Sequence, residues 1–155
     1  MEVYLVRHGE ATSEAEDPLR PLSQRGRLEV TRVARAAARA GVSVGIVCHS
    51  GKLRARQTAE ILAEHLEPGK GTSAIAGLAP HDDPEAARRL IEQATEPVVL
   101  VGHLPHLSRL VSLLLVGEPG REIVTLHAGG IAALGRREAG WRLLWLMSPE
   151  IVPQS

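Results

Sequence analysis

Short apolar runs alternate with longer amphipathic ones along the chain. Val3-Tyr4-Leu5-Val6, Val44 to Cys48 and Val98 to Val101 are compact, near-continuous apolar stretches, the pattern of strands buried on both faces. Between them the period lengthens. Val30, Val33, Ala34 and Ala37 recur at helical spacing after Ser23, a predicted N-cap, in a helix that Gly41 should stop. Arg32, Arg35 and Arg39 fall on its other side and read as a solvated face. A second helix is predicted from about Lys52 to Leu66, followed by the loop Glu67-Pro68-Gly69-Lys70-Gly71 and a short strand at Thr72 to Ala76. Asp83-Pro84 opens a third helix, with Pro at its first position and Leu90, Ile91 and Ala94 inward. A fourth starts at Pro105, carries Leu107, Leu110, Val111 and Leu114 on one face, and ends at Gly117. Ile123 to Leu126, Gly130 to Leu134 and Trp141 to Leu146 are predicted as the final strand segments. The order β-α-β-α-(β)-α-β-α-β-β predicts an α/β three-layer sandwich: a mostly parallel central sheet with helices on both faces, in a single domain over 1–155.

Composition narrows the function classes. Lys plus Arg equals Asp plus Glu, at 18 each, so no global field steers the chain to nucleic acid or an anionic membrane. Tyr4, Trp141 and Trp145 are the only aromatics, too few for a base-stacking platform. No apolar stretch approaches the ~20 residues of a membrane span, and the first residues lack the basic region of a signal peptide. Cys48 is the only cysteine, so an intrachain disulfide is ruled out and a cytoplasmic setting is expected. Nothing in these features fixes an oligomeric state.

Chemistry concentrates where the apolar strands stop. The first ends in Arg7-His8-Gly9, the second in His49-Ser50 with Arg54 after Leu53, the fourth in Gly102-His103. Parallel strands present their C-terminal tips on one edge, where open α/β sheets bind ligands. His8, Arg7, Arg54 and His103 are therefore expected to meet, with Gly9 and Ser50 beside them. Two arginines and two histidines describe a pocket for a dianion, because the guanidinium fork matches phosphate oxygens and a nearby helix start adds positive potential. No carboxylate cluster or Cys/His set reads as a metal site. His103 and His106 lie three apart, but Pro105 intervenes and no carboxylate is near in sequence. No cofactor is expected.

Taken in order, Arg7-His8-Gly9, then Leu22-Ser23 with Gly26, then Ser50 with Arg54-Ala55 and Gln57-Thr58, then Gly102-His103 resemble the histidine phosphatase superfamily. The short length, Arg7-His8-Gly9-Glu10-Ala11, Gly102-His103-Leu104-Pro105 and the closing Trp145, Met147-Ser148-Pro149 are closer to its SixA-type phosphohistidine phosphatases. The resemblance implies that His8 is the nucleophile, phosphorylated in turnover, and that Arg7, Arg54 and His103 hold the phosphoryl oxygens. It implies a phosphorylated protein of the histidine phosphotransfer type, or a small phosphate ester, as partner. Position 51 departs from the pattern: Gly51 stands where Pro is common, so a looser loop is expected. The general acid that larger members carry in an insertion has no counterpart. Asp82 and Asp83 are the nearest candidates, with Asp83 read first as the N-cap before Pro84. His127 is a further candidate, read first as structural; neither His127 nor His106 receives a role.

Three rivals remain open on sequence alone. Cys48, Gly51 and Arg54 fit the Cys-X5-Arg loop of cysteine-based phosphatases, in which a thiolate would attack phosphorus. That reading leaves His8 and His103 idle, and a lone Cys at a strand end is more often a small core residue. The other rivals are a broad small-molecule phosphomonoesterase of the same superfamily and a non-catalytic phosphoprotein-binding module.

Overall fold

The computed structural model describes residues 1–154. Its elements run β1 (Glu2–Arg7), α1 (Gln24–Arg39), β2 (Ile46–His49), α2 (Leu53–Leu66), β3 (Thr72–Ala74), α3 (Pro84–Gln93), β4 (Val98–Gly102), α4 (His106–Val116), β5 (Ile131–Arg137) and β6 (Gly140–Met147), with a closing turn of 3₁₀ helix at Pro149–Ile151. The strands form one sheet in the order β3-β2-β4-β1-β5-β6. β1 to β4 are mutually parallel, and the antiparallel β5 runs against them between β1 and β6. The predicted α/β sandwich is the architecture observed.

Side-chain alternation divides the core into two layers. Val3, Leu5, Cys48 and Leu100 point to the face covered by α3 and α4, against Ile91, Leu107 and Leu110. Tyr4, Val6, Val47, Val99 and Val101 point to the other, against Val33, Ala34 and Ala37 of α1 and Ala55, Ala59 and Leu62 of α2. The caps are local chemistry. Ser23 accepts from the Gly26 amide at the start of α1, and Asp83 accepts from the Glu85 amide at the start of α3. Gly117 closes α4 at φ 82°, the left-handed conformation that Gly adopts without steric cost.

Ile123 to Leu126, predicted as a strand, is irregular. It pairs with no strand of the sheet, in which β5 lies beside β1 and β6 beside β5. Its backbone is used differently: the Leu126 carbonyl accepts from Arg7 Nη1 at 3.1 Å while the Leu126 side chain is buried. No helix among the described residues is long and apolar enough to cross a membrane.

Candidate active site

The tips of β1, β2 and β4 meet as their parallel registers require. Arg7 pairs with Gly102, and His49 with Val101, so the residues that follow each strand share one edge. The His8 amide donates to the Gly102 carbonyl at 3.0 Å, which carries β1 just past the sheet and sets His8 beside His103. The two rings lie 4.9 Å apart between centroids, tilted by 53°.

His8 is oriented by its own neighbour. Nδ1 sits 2.7 Å from the Gly9 carbonyl, so the proton belongs on Nδ1 and the Nε2 lone pair is free. Burial, and then the charges of Arg54, Arg7 and Arg20, outweigh the raising effect of that hydrogen bond and push the His8 pKa down to about 4. His103 is 2% exposed, and burial, with His8, Arg54 and Lys52 behind it, brings its pKa down to about 3. Both imidazoles are therefore neutral at pH 7. The charges that act on this pair are all basic. Such a pocket holds unneutralised positive potential and two neutral rings, which suits an anion that needs a nucleophile.

Gly9 holds the ring rather than offering donors outward. Its amide donates to Thr58 Oγ1 at 3.1 Å, and its carbonyl is taken by His8. A Cβ there would come within 2.6 Å of Val30 Cγ2, so only Gly lets α1 approach so closely. Gly26 answers the same need: a Cβ would lie 2.1 Å from the Glu10 carbonyl oxygen.

Ser50 Oγ lies 2.6 Å from His103 Nε2 and orients that ring. Gly51, expected to loosen the loop, is anchored: its amide donates to His49 Nδ1 at 3.1 Å, and its φ is +93°. Pro could supply neither that donor nor that angle. Arg54, in the first turn of α2, keeps a buried Nε without a partner in the described structure. Its backbone carbonyl accepts from Thr58 Oγ1 at 2.8 Å, so one hydroxyl joins α2 to the His8 loop.

The acid candidates are committed elsewhere. Asp82 Oδ2 accepts from the Ala79 amide at 3.0 Å, and Asp83 caps α3. His127 is half exposed and lies 3.5 Å from Glu150 Oε1. His106 is fully buried at the start of α4, and burial lowers its pKa. No group of three or more His, Cys, Asp or Glu is placed to hold a metal among the described residues.

Cys48 is poorly placed as a nucleophile. It is 4% exposed, faces the layer under α3 and α4, and burial pushes its thiol pKa up. Arg54 belongs to α2, which packs on the opposite face of the sheet. The Cys-X5-Arg spacing exists in sequence but does not make a loop around one anion.

Two residues escaped the sequence reading. Thr58 is the buried hydroxyl bridging Gly9 and Arg54; it stands in the quoted Gln57-Thr58 pair but received no role. Arg20 is the second. Held at φ 49° with Nε donating to the Thr12 carbonyl at 3.1 Å, it acts electrostatically on both His8 and Arg54. Its only sequence signal is a cation caught between Pro18 and Pro21.

Comparison with known proteins adds three findings. Residues 3–75 match the histidine phosphatase superfamily (branch 1). An uncharacterised protein of Picosynechococcus sp. is 35% identical over 83% of this chain and 82% of its own, and the phosphohistidine phosphatase SixA of Escherichia coli is 30% identical over 96% and 94%. A solved structure of the protein histidine phosphatase SixA complexed with tungstate superposes with a TM-score of 0.83, at 28% identity, over 96% of this chain and 97% of that one.

Proposed function

The chain belongs to the histidine phosphatase superfamily, and we propose that it is a phosphatase that hydrolyses phosphohistidine in a protein, through a phosphoryl group carried on His8. One observation carries this reading. His8 presents a free Nε2, neutral above about pH 4, inside a group of basic side chains and beside a second neutral imidazole.

Nε2 attacks phosphorus, the bond from phosphorus to the substrate's imidazole breaks, and the phosphoryl group rests on His8 as a phosphoramidate. Water then attacks that phosphorus, releasing phosphate and restoring the His8 lone pair. Arg7 and Arg54 stabilise the charge spread over the equatorial oxygens, and His103, oriented by Ser50, donates to one of them. Arg20 adds positive potential from the rim. Hydrogen bonds hold the Arg7 guanidinium to Leu126 and the His8 ring to Gly9, and tie the Arg54 backbone to Thr58. The tungstate bound to the SixA relative is a tetrahedral oxyanion, the shape such a pocket is built to hold.

The substrate class follows from the missing acid. Asp82 and Asp83, the acid candidates, each accept from a backbone amide, so neither is set up as a carboxylic acid to protonate a leaving group. An imidazole leaves from phosphorus with little help; a sugar or serine alkoxide does not. General acid catalysis is worth ~10²–10⁴-fold, and the rate should spread by about that factor across leaving groups. The test is a panel of a phosphohistidine protein, an aryl phosphate, phosphoserine and a three-carbon phosphate. Fast turnover of the first two and slow turnover of the others is expected. A flat profile would mean a proton donor exists, and a preference for the three-carbon phosphate would replace this substrate class with a small ester.

A further inference from the structure

A cleft of about 470 Å³ lies directly beside the His103 loop. One wall is Leu104, Pro105 and Arg109, on the segment that leaves His103 and enters α4. The other is Pro119, Arg121 and Glu122, on the segment that continues to Leu126. Both walls are anchored to the phosphoryl pocket. The Leu107 amide donates to the His103 carbonyl at 2.9 Å, and the Leu126 carbonyl holds Arg7 at 3.1 Å. The cleft therefore adjoins the phosphoryl pocket, next in sequence to His103 on one side and to the segment leading to Leu126 on the other.

Its chemistry is mixed. Leu104, Pro105 and Pro119 offer apolar contact. Arg109 is half-buried, and among the described residues its guanidinium makes no hydrogen bond or ion pair. Arg121 pairs loosely with Glu118, at 4.0 Å, with both side chains mostly exposed. Two under-used guanidinium groups in an apolar-walled cleft fit carboxylates carried on a chain that also supplies an apolar side chain. Glu122 on the same wall disfavours a second phosphate dianion and tolerates single carboxylates.

Resting on the phosphoprotein reading above, we propose that this cleft receives the acidic flank of the substrate protein. Carboxylates near the phosphorylated histidine pair with Arg109 and Arg121, while an apolar neighbour packs on Leu104, Pro105 and Pro119. The cleft sets which phosphoprotein is used, and the pocket does the chemistry.

Two synthetic phosphohistidine peptides, alike except for Glu or Lys at the flanking positions, test this. Partly exposed pairs are individually weak, and two of them together should favour the Glu peptide in kcat/KM by about three- to thirtyfold, through KM, with the preference shrinking in high salt. In the Arg109→Ala/Arg121→Ala variant the ratio should approach one while turnover of p-nitrophenyl phosphate is unchanged. The double Lys variant should keep part of the preference. An unaltered ratio in the Ala variant, no discrimination by the native enzyme, or an equal loss on p-nitrophenyl phosphate would each overturn the proposal. Should neither peptide turn over while p-nitrophenyl phosphate does, the phosphohistidine reading fails by itself. The cleft is then judged by fluorescence anisotropy with the unphosphorylated peptides, where tighter binding of the Glu form, lost in the Ala variant, supports it and equal binding overturns it.

Discussion

The tips of β1 and β2 carry the chain's two candidate nucleophiles, and they differ by small displacements along and across one sheet. His8 stands one residue beyond β1, off the ladder, with its ring facing His103. Cys48 stands one residue inside β2, where the pleat turns its sulfur into the layer beneath α3 and α4. Burial lowers the His8 pKa and raises that of Cys48. The same desolvation therefore has opposite consequences: it keeps an imidazole in its nucleophilic neutral form and keeps a thiol in its inert one. A motif spacing that fits both residues is decided by which face the strand shows.

The largest test of this contrast is substitution of each residue. His8→Ala should lower kcat for an aryl phosphate by about 10⁴-fold or more, since loss of a covalent nucleophile removes most of the catalysis. Cys48→Ser should keep most of the activity in an enzyme with the same circular dichroism. Active His8→Ala beside dead Cys48→Ser would reverse the assignment. Acid lability of the trapped phosphoenzyme, located at His8 by mass spectrometry under basic handling, is the matching chemical readout.

A smaller effect comes from pH. With the free-enzyme pKa of His8 near 4, kcat/KM for an aryl phosphate, corrected for the fraction of substrate present as the dianion, should hold from pH 7 down to about 5 and fall below it. A cysteine pathway, with its thiol above the ordinary value of 9.0, would already lose about 30-fold between pH 7 and 5.5. Stability follows the same groups. His8 and His103 are lowered from 6.5 to about 4 and about 3, so below pH 6.5 the unfolded chain binds protons that the native one refuses. Stability should therefore decline as pH falls from about 6.5 towards 4, and Tm measured across that range checks it. A Tm that rises on acidification would contradict the lowered values.

How much of this was readable in advance depended on whether a residue's role is local. β1, α1 and α4 follow from apolar runs, an N-cap at Ser23 and a stop at Gly117, all set by near neighbours in sequence. The convergence of Arg7, His8, Arg54 and His103 was legible because parallel strands share an edge. Ile123 to Leu126 misled because β propensity says nothing about which partner the fold gives a backbone, and here the Leu126 carbonyl is taken by the Arg7 side chain. Arg20 and Thr58 were missed for the same reason: their partners, Thr12, Gly9 and Arg54, are identified only once the chain is folded. Gly51 looked like a weakness, yet its amide and its positive φ are what the loop uses.

The smallest predicted effect concerns how the β1 tip is held, which Cys48 does not share. Thr58 Oγ1 accepts from the Gly9 amide and donates to the Arg54 carbonyl, so a single hydroxyl sets His8 and Arg54 relative to each other. Thr58→Val keeps the shape and removes both bonds. The Gly9 amide is then buried without an acceptor, which costs about 1–3 kcal/mol of stability. Activity should fall by roughly tenfold beyond any loss of folded protein, because misplacing a nucleophile by a fraction of an ångström is costly in rate. Thr58→Ser, which restores the hydroxyl, should recover most of both. A loss of stability with unchanged kcat in Thr58→Val would mean that Thr58 supports the fold alone and that His8 and Arg54 are aligned by other contacts.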